Sequence, residues 1–103
     1  RELATGKAML SAATLAERNT WSPVTPSAGY GLGILNFLGF LGHNGGIAGY
    51  SSWMLHNPDT GFTVVIVVNR AGEKGGTADP FLNDILLLLR PEITSAPAAT
   101  PVA

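Results

Sequence analysis

The chain has 103 residues, 46% of them apolar and only 13% charged, with a formal net charge of -1 and no cysteine. That length supports one small core, and the scattered basic residues leave no electrostatic footprint for nucleic acid or an anionic membrane surface. Without cysteine there is no disulfide framework, no thiolate nucleophile and no cysteine zinc cluster.

The charged share is well below the roughly 25% of an ordinary soluble domain, so much of this surface is expected to be covered. The chain opens Arg1-Glu2-Leu3, without an initiator Met or a basic-then-apolar leader, and reads as a segment of a longer chain. The longest apolar runs, Phe62 to Val68 and Ile85 to Leu89, fall far short of the ~20 residues of a membrane helix, so no transmembrane segment is expected.

Residues 1 to 20 are helix formers interrupted at Gly6-Lys7, which predicts the tail of one helix, a turn and a second short helix capped by Ser11. Leu10 and Leu15 flank that cap at the spacing of a hydrophobic staple. Trp21 to Ser27 carries two prolines and three hydroxyl residues and reads as a loop. From Gly29 to Gly49 the chain holds eight of its 13 glycines. Here Tyr30-Gly31-Leu32-Gly33-Ile34 alternates with period two, which predicts a strand. A second strand is expected from near His43 or Gly46 through Leu55.

Asn57-Pro58-Asp59-Thr60-Gly61 is turn chemistry with glycine where positive φ is needed, and it predicts a hairpin. Phe62 to Val68 is β-branched and apolar on both faces, the pattern of a central or near-central strand. After a glycine-rich connector over residues 69 to 78, Asp79-Pro80 predicts a helix start, with a helix running to about Arg90. Phe81, Leu82, Ile85, Leu86, Leu88 and Leu89 make it apolar nearly all round, so it too is expected to be buried. The expected fold is α+β, a three-stranded antiparallel sheet flanked by N- and C-terminal helices over residues 1 to 90, with a Pro/Ala-rich disordered tail over 91 to 103.

The chemistry-bearing candidates cluster at Gly42-His43-Asn44-Gly45-Gly46. An imidazole titrating near pH 6.5 is a general acid or base in waiting, but a lone histidine is more often structural. The two glycines strengthen the functional reading. They leave bare backbone on a strand edge, where the Gly46 N–H can meet a ligand carbonyl as an oxyanion donor.

Tyr30-Gly31-Leu32-Gly33-Ile34, Gly42-His43-Asn44-Gly45-Gly46, Gly49-Tyr50-Ser51-Ser52, Asn57-Pro58-Asp59-Thr60-Gly61 and a Val-rich strand ending in Asn69-Arg70 occur in that order. In this the chain resembles the C-terminal part of the serine β-lactamase-like superfamily, from about Leu10 to Leu89. That group includes class C β-lactamases, D-alanyl-D-alanine carboxypeptidases, D-aminopeptidases and esterases. It works with S-x-x-K, a Tyr-x-Asn or Ser-x-Asn element, and K-T-G or H-x-G on a strand lining the site. Only the third is present here.

By that resemblance His43-Asn44-Gly45 is the H-x-G triplet. His43 would anchor substrate and assist proton transfer, Asn44 would contact substrate, Gly45 would keep the edge clear, and Gly46 would lend its N–H to the oxyanion hole. His43 in place of lysine, and Asn44 in place of a hydroxyl residue, favour a peptidase or esterase over an efficient β-lactamase. The resemblance implies a small-molecule or peptide substrate, no cofactor or metal, and a periplasmic, secreted or cell-envelope setting. Its catalytic partner would be the N-terminal part of the same protein, and the chain alone would be inactive.

The other candidates read as structural. Ser51-Ser52 have neither S-x-x-K spacing nor a G-x-S-x-G elbow. His56 flanks a turn, and Trp53 falls in a core or interface position by strand alternation. Gly72 to Thr77 lacks the order of a phosphate loop. The alternative functional class is a non-catalytic module that binds a peptide or partner chain along the same strand edge by β-addition. A blander alternative is a small α+β interaction domain in which His43 is incidental.

Overall fold

The computed structural model describes residues 1–71 and 77–89. The connector at 72–76 and the tail from 90 onward, for which a loop and disorder were expected, lie outside the described residues.

Two short helices open the chain, α1 (Glu2–Thr5) and α2 (Ala12–Arg18). Ser11 is the N-cap of α2 as its chemistry predicts, its Oγ accepting from the Thr14 N–H at 3.2 Å. Six strands follow: β1 (Ser22–Thr25), β2 (Ala28–Tyr30), β3 (Leu35–Phe37), β4 (Phe40–Ile47), β5 (Tyr50–His56) and β6 (Thr63–Val68). They form one sheet in sequence order, antiparallel from β1 through β4, and α3 (Asp79–Leu89) closes the described chain. The class is α+β.

The sheet is thus twice as wide as the three strands expected, for three local reasons. The Trp21 to Ser27 stretch is not all loop. Pro23 sits in β1, the terminal strand of the sheet, where its missing N–H breaks no ladder, and the register slips between Pro23 and Thr25. The Tyr30 to Ile34 alternation is not a strand. β2 ends at Tyr30, and the chain turns back through a Gly31 N–H to Ile34 carbonyl bond of 2.8 Å. Finally, the run expected as one strand from His43 to Leu55 is two, because Ala48-Gly49 makes a two-residue turn in which Gly49 has φ +82°.

By contact the chain divides into two compact units. The first comprises residues 1–42 and 55–63, with Ala4, Trp21, Ala28, Ile34, Phe40 and Leu55 buried. Arg18 ties its helices together, donating from Nη1 to the Leu3 carbonyl at 2.8 Å and from Nη2 to the Ala4 carbonyl at 2.6 Å. Gly31 lies so close to this helix that a Cβ would fall 2.0 Å from the Arg18 carbonyl oxygen. The 57–61 turn forms as predicted. Asn57 Oδ1 accepts from the Asp59 and Thr60 N–H groups, and Gly61 has φ +78°.

The second unit contains residues 43–54, 64–71 and 77–89. Val64, Ala78, Leu82 and Leu86 are buried in it. Two expectations fail here. α3 buries only the stripe through Leu82 and Leu86 and leaves Phe81, Leu87 and Leu88 exposed, so it is amphipathic rather than enclosed. β6, read as central, is the last strand in the sheet order among the described strands, with Val65 and Val67 exposed.

Candidate functional site

β4 places His43, Asn44, Gly45 and Gly46 in the middle and end of a strand rather than at its start. β3 is only three residues long, and its pairing with β4 ends at Leu35↔Gly42. His43–Ile47 therefore run on past the last of those pairs.

A two-residue hairpin makes its flanking residues, here Ile47 and Tyr50, the closing hydrogen-bonded pair. The residue before Ile47 then belongs to a non-hydrogen-bonded pair and turns its N–H to the opposite edge. Gly46 occupies that position. The same register sets Gly45 across from Ser52, in agreement with the 2.7 Å between the Ser52 Oγ and an ideal Cβ on Gly45. Gly46 differs from its neighbour: a Cβ there would meet nothing within 4 Å. Bare backbone at Gly45 thus accommodates a cross-strand hydroxyl, and at Gly46 no atom of the described residues stands within 4 Å of that point.

His43 lies beside this pair and is partly exposed. Its Nδ1 is 2.6 Å from the Asn44 carbonyl oxygen. A carbonyl only accepts, so Nδ1 is the donor in this contact. Asn44 is exposed on the same strand.

The remaining candidates have structural work. Ser51 is buried, its Oγ donating to the Arg70 carbonyl at 3.1 Å and lying 2.7 Å from Thr77 Oγ1. Among the described residues neither partner is a base that would activate it as a nucleophile. Trp53 is half-buried and donates from Nε1 to Asp79 Oδ1 at 2.7 Å, so the carboxylate at the first residue of α3 is bound by an indole. His56, at the end of β5, is 4% exposed with Nδ1 2.8 Å from Thr63 Oγ1. Burial holds its pKa below the ordinary 6.5, and the positive charge of the Arg1 guanidinium acts in the same direction, against a smaller opposing effect of Glu2.

Two hollows are relevant. One of about 410 Å³, lined by Arg1, Glu2, Thr5, Lys7, His56, Pro58 and Gly61, belongs to the first unit and contains none of the candidate site residues. The other, open and about 380 Å³, is lined by Gly45 and Gly46 together with Ile47, Tyr50, Ser51, Ser52 and Val67. Sequence reading missed Ile47, Tyr50, Ser52 and Val67 as neighbours of the glycines. The hairpin at Ala48-Gly49 is the signal that brings Tyr50 and Ser52 back over Ile47 and Gly45. Among the described residues no group of three or more His, Cys, Asp or Glu side chains is placed to hold a metal, and no helix is long and apolar enough to cross a membrane.

A family model described as Beta-lactamase matches residues 1–87. No curated protein matches the chain. The family match spans most of the 103 residues, and the chain belongs to the Beta-lactamase family, whose members are in general serine hydrolases.

Proposed function

We propose that this chain is the C-terminal segment of a serine acyl-enzyme hydrolase of D,D-peptidase or esterase type, and that it supplies one wall of the active site. The serine and lysine of S-x-x-K would come from the preceding part of the same protein. The observation that carries this reading is Gly46: its N–H turns to the outer edge of β4, past the pairing with β3, where a Cβ would meet nothing within 4 Å. A substrate carbonyl approaching that edge meets a donor and no side chain.

In this reading the serine oxygen attacks the carbonyl carbon, and the negative charge that develops on the carbonyl oxygen is held by the Gly46 N–H and the N–H of the serine itself. His43 sits on the same strand and would assist the passage of a proton between nucleophile and leaving group. Asn44 would contact substrate, and Gly45 would keep the face beside it clear.

The test is direct. The coding sequence preceding Arg1 should contain S-x-x-K and a Tyr-x-Asn or Ser-x-Asn element, and the full-length protein should be labelled by a fluorophosphonate while the 103-residue chain is not. Stoichiometric labelling of the 103-residue chain, or a full-length sequence without that serine, overturns the reading.

A second reading draws on the same edge. His43–Ile47 extend past β3, so a peptide could add there as a strand without any chemistry. A full-length protein that keeps the fold but lacks the serine and lysine would decide for it.

A further inference from the structure

Trp53 occupies a position in β5 that the hairpin register ties to the site. Gly45 lies across from Ser52, so Trp53 lies across from Asn44, on the face of the sheet opposite Ser52. Asn44 and Trp53 form a non-hydrogen-bonded pair, the kind that brings facing side chains closest. The indole is anchored at its far end: Nε1 donates to Asp79 Oδ1 at 2.7 Å, and Asp79 is the first residue of α3. That helix buries Leu82 and Leu86 in the same compact unit that holds His43 to Met54, so it offers the ring a fixed point. Trp53 thus runs from the start of α3 to the strand pair directly behind Asn44, two residues before Gly46.

This bears on chemistry because of how β4 is held. In the acyl-transfer reading the outer edge of β4 at Gly46 faces the substrate carbonyl, beyond the last pair with β3 at Gly42. A strand that gives its outer edge to substrate takes its position from its inner neighbour, here β5, and from what packs on its faces. A donor to a developing oxyanion works only when its supporting shell fixes it to within about 0.5 Å of the productive position.

We infer that Trp53 is a positioning residue for acyl transfer: its hydrogen bond to Asp79 ties β5 to the start of α3 and so fixes β4 at Asn44 and the Gly46 N–H. This rests on the acyl-transfer reading and deepens it. Trp53 acts through β4 and touches neither substrate nor the reacting atoms. Ser51, on the same face, has a different task, since its hydroxyl bonds to the Arg70 carbonyl and to Thr77 Oγ1 on either side of the connector.

The experiment labels the full-length protein and its variants with a fluorophosphonate over a range of concentrations. This separates KI, the encounter with the site, from kinact, the step in which charge develops on the phosphoryl oxygen. A misplacement of 1 Å can cost about 10² in rate, so a smaller shift of β4 in Trp53→Phe should lower kinact about tenfold, with KI within about twofold of native. Asp79→Ala should match it, and Trp53→Phe/Asp79→Ala should be no slower than either single variant, because all three lack the same bond. Asp79→Asn keeps an oxygen acceptor and should restore most of the native kinact. Ser51→Ala is the control for lost stability alone on the same strand, and its kinact should stay native.

Native kinact in folded Trp53→Phe, an equal loss in Asp79→Asn or in Ser51→Ala, or additive losses in the double variant overturn the positioning role and leave the acyl-transfer reading standing. If Trp53→Phe does not fold, Asp79→Ala reads the same bond; if neither folds, the contact is structural and the inference falls. A native full-length protein that is not labelled overturns the acyl-transfer reading itself, and this inference with it.

Discussion

The Ser52 hydroxyl stands 2.7 Å from the point where a Cβ on Gly45 would lie. A side chain at Gly45 would therefore have to displace the Ser52 hydroxyl. Gly45→Ala should force the Ser52 side chain to rotate and lower the stability of the full-length protein by about 1 kcal/mol. Ser52→Ala removes the obstructing oxygen, so the double variant should recover most of that loss. A thermodynamic cycle on the four proteins measures the coupling, and strictly additive effects would show that the two groups do not meet.

Ser51, the neighbour of Ser52, is held for a different purpose. Its buried Oγ bridges the Arg70 carbonyl and Thr77 Oγ1. Ser51→Ala should cost about 1–3 kcal/mol, because buried polar partners lose their bond. Fluorophosphonate labelling of the folded variant should be unchanged. Loss of labelling at unchanged stability would make Ser51 part of the chemistry.

The hydrogen bonds of Arg18 hold the end of α1, a helix of only four residues. Arg18→Ala should speed amide exchange at Thr5 and Gly6, whose N–H groups bond to the Arg1 and Glu2 carbonyls. Arg18→Lys should not restore protection, since one ammonium does not reproduce the two-pronged contact. Unchanged exchange at these amides in Arg18→Ala would show that α1 is held by packing alone.

His56 gives stability a pH dependence with a definite sign. Its folded pKa lies below the ordinary 6.5. Between the folded value and about 6.5 the unfolded chain therefore binds a proton that the folded chain excludes. The stabilisation is fully present above about pH 6.5 and is lost as the pH falls through the folded pKa. Tm should drop more between pH 7.5 and pH 5 for the native protein than for His56→Asn, and parallel profiles would remove His56 as the cause.

What was legible in the sequence was local. Ser11 caps α2 and Asn57 to Gly61 makes its turn because each depends on residues two to four positions apart. The strand count was not legible. β1, β2 and β3 are three or four residues each, β1 with a proline and β2 with a glycine, so they are too short to show the alternation by which strands are read, and Ala48 hides a hairpin because alanine is not a turn residue. The bare backbone at Gly45 and Gly46 was visible as composition. Why Gly45 is bare was not, since Ser52 reaches it only through cross-strand register. Gly31 is similar: its alternation with Tyr30 and Leu32 resembles a strand, whereas the structure uses it to let the backbone pass the Arg18 carbonyl.

The most direct measurement is turnover and Tm of Gly46→Val in the full-length protein. A Cβ at Gly46 meets no atom of the described residues within 4 Å, so this part of the fold should tolerate the change apart from a small backbone effect. A branched side chain there would obstruct the approach of a substrate carbonyl to the N–H. Losing one oxyanion donor costs about 10² to 10³ in rate, and a fall of that size in kcat/KM with Tm nearly unchanged is the expected result. A Gly46→Val protein that keeps its normal rate would contradict the placement of the oxyanion hole at this strand edge.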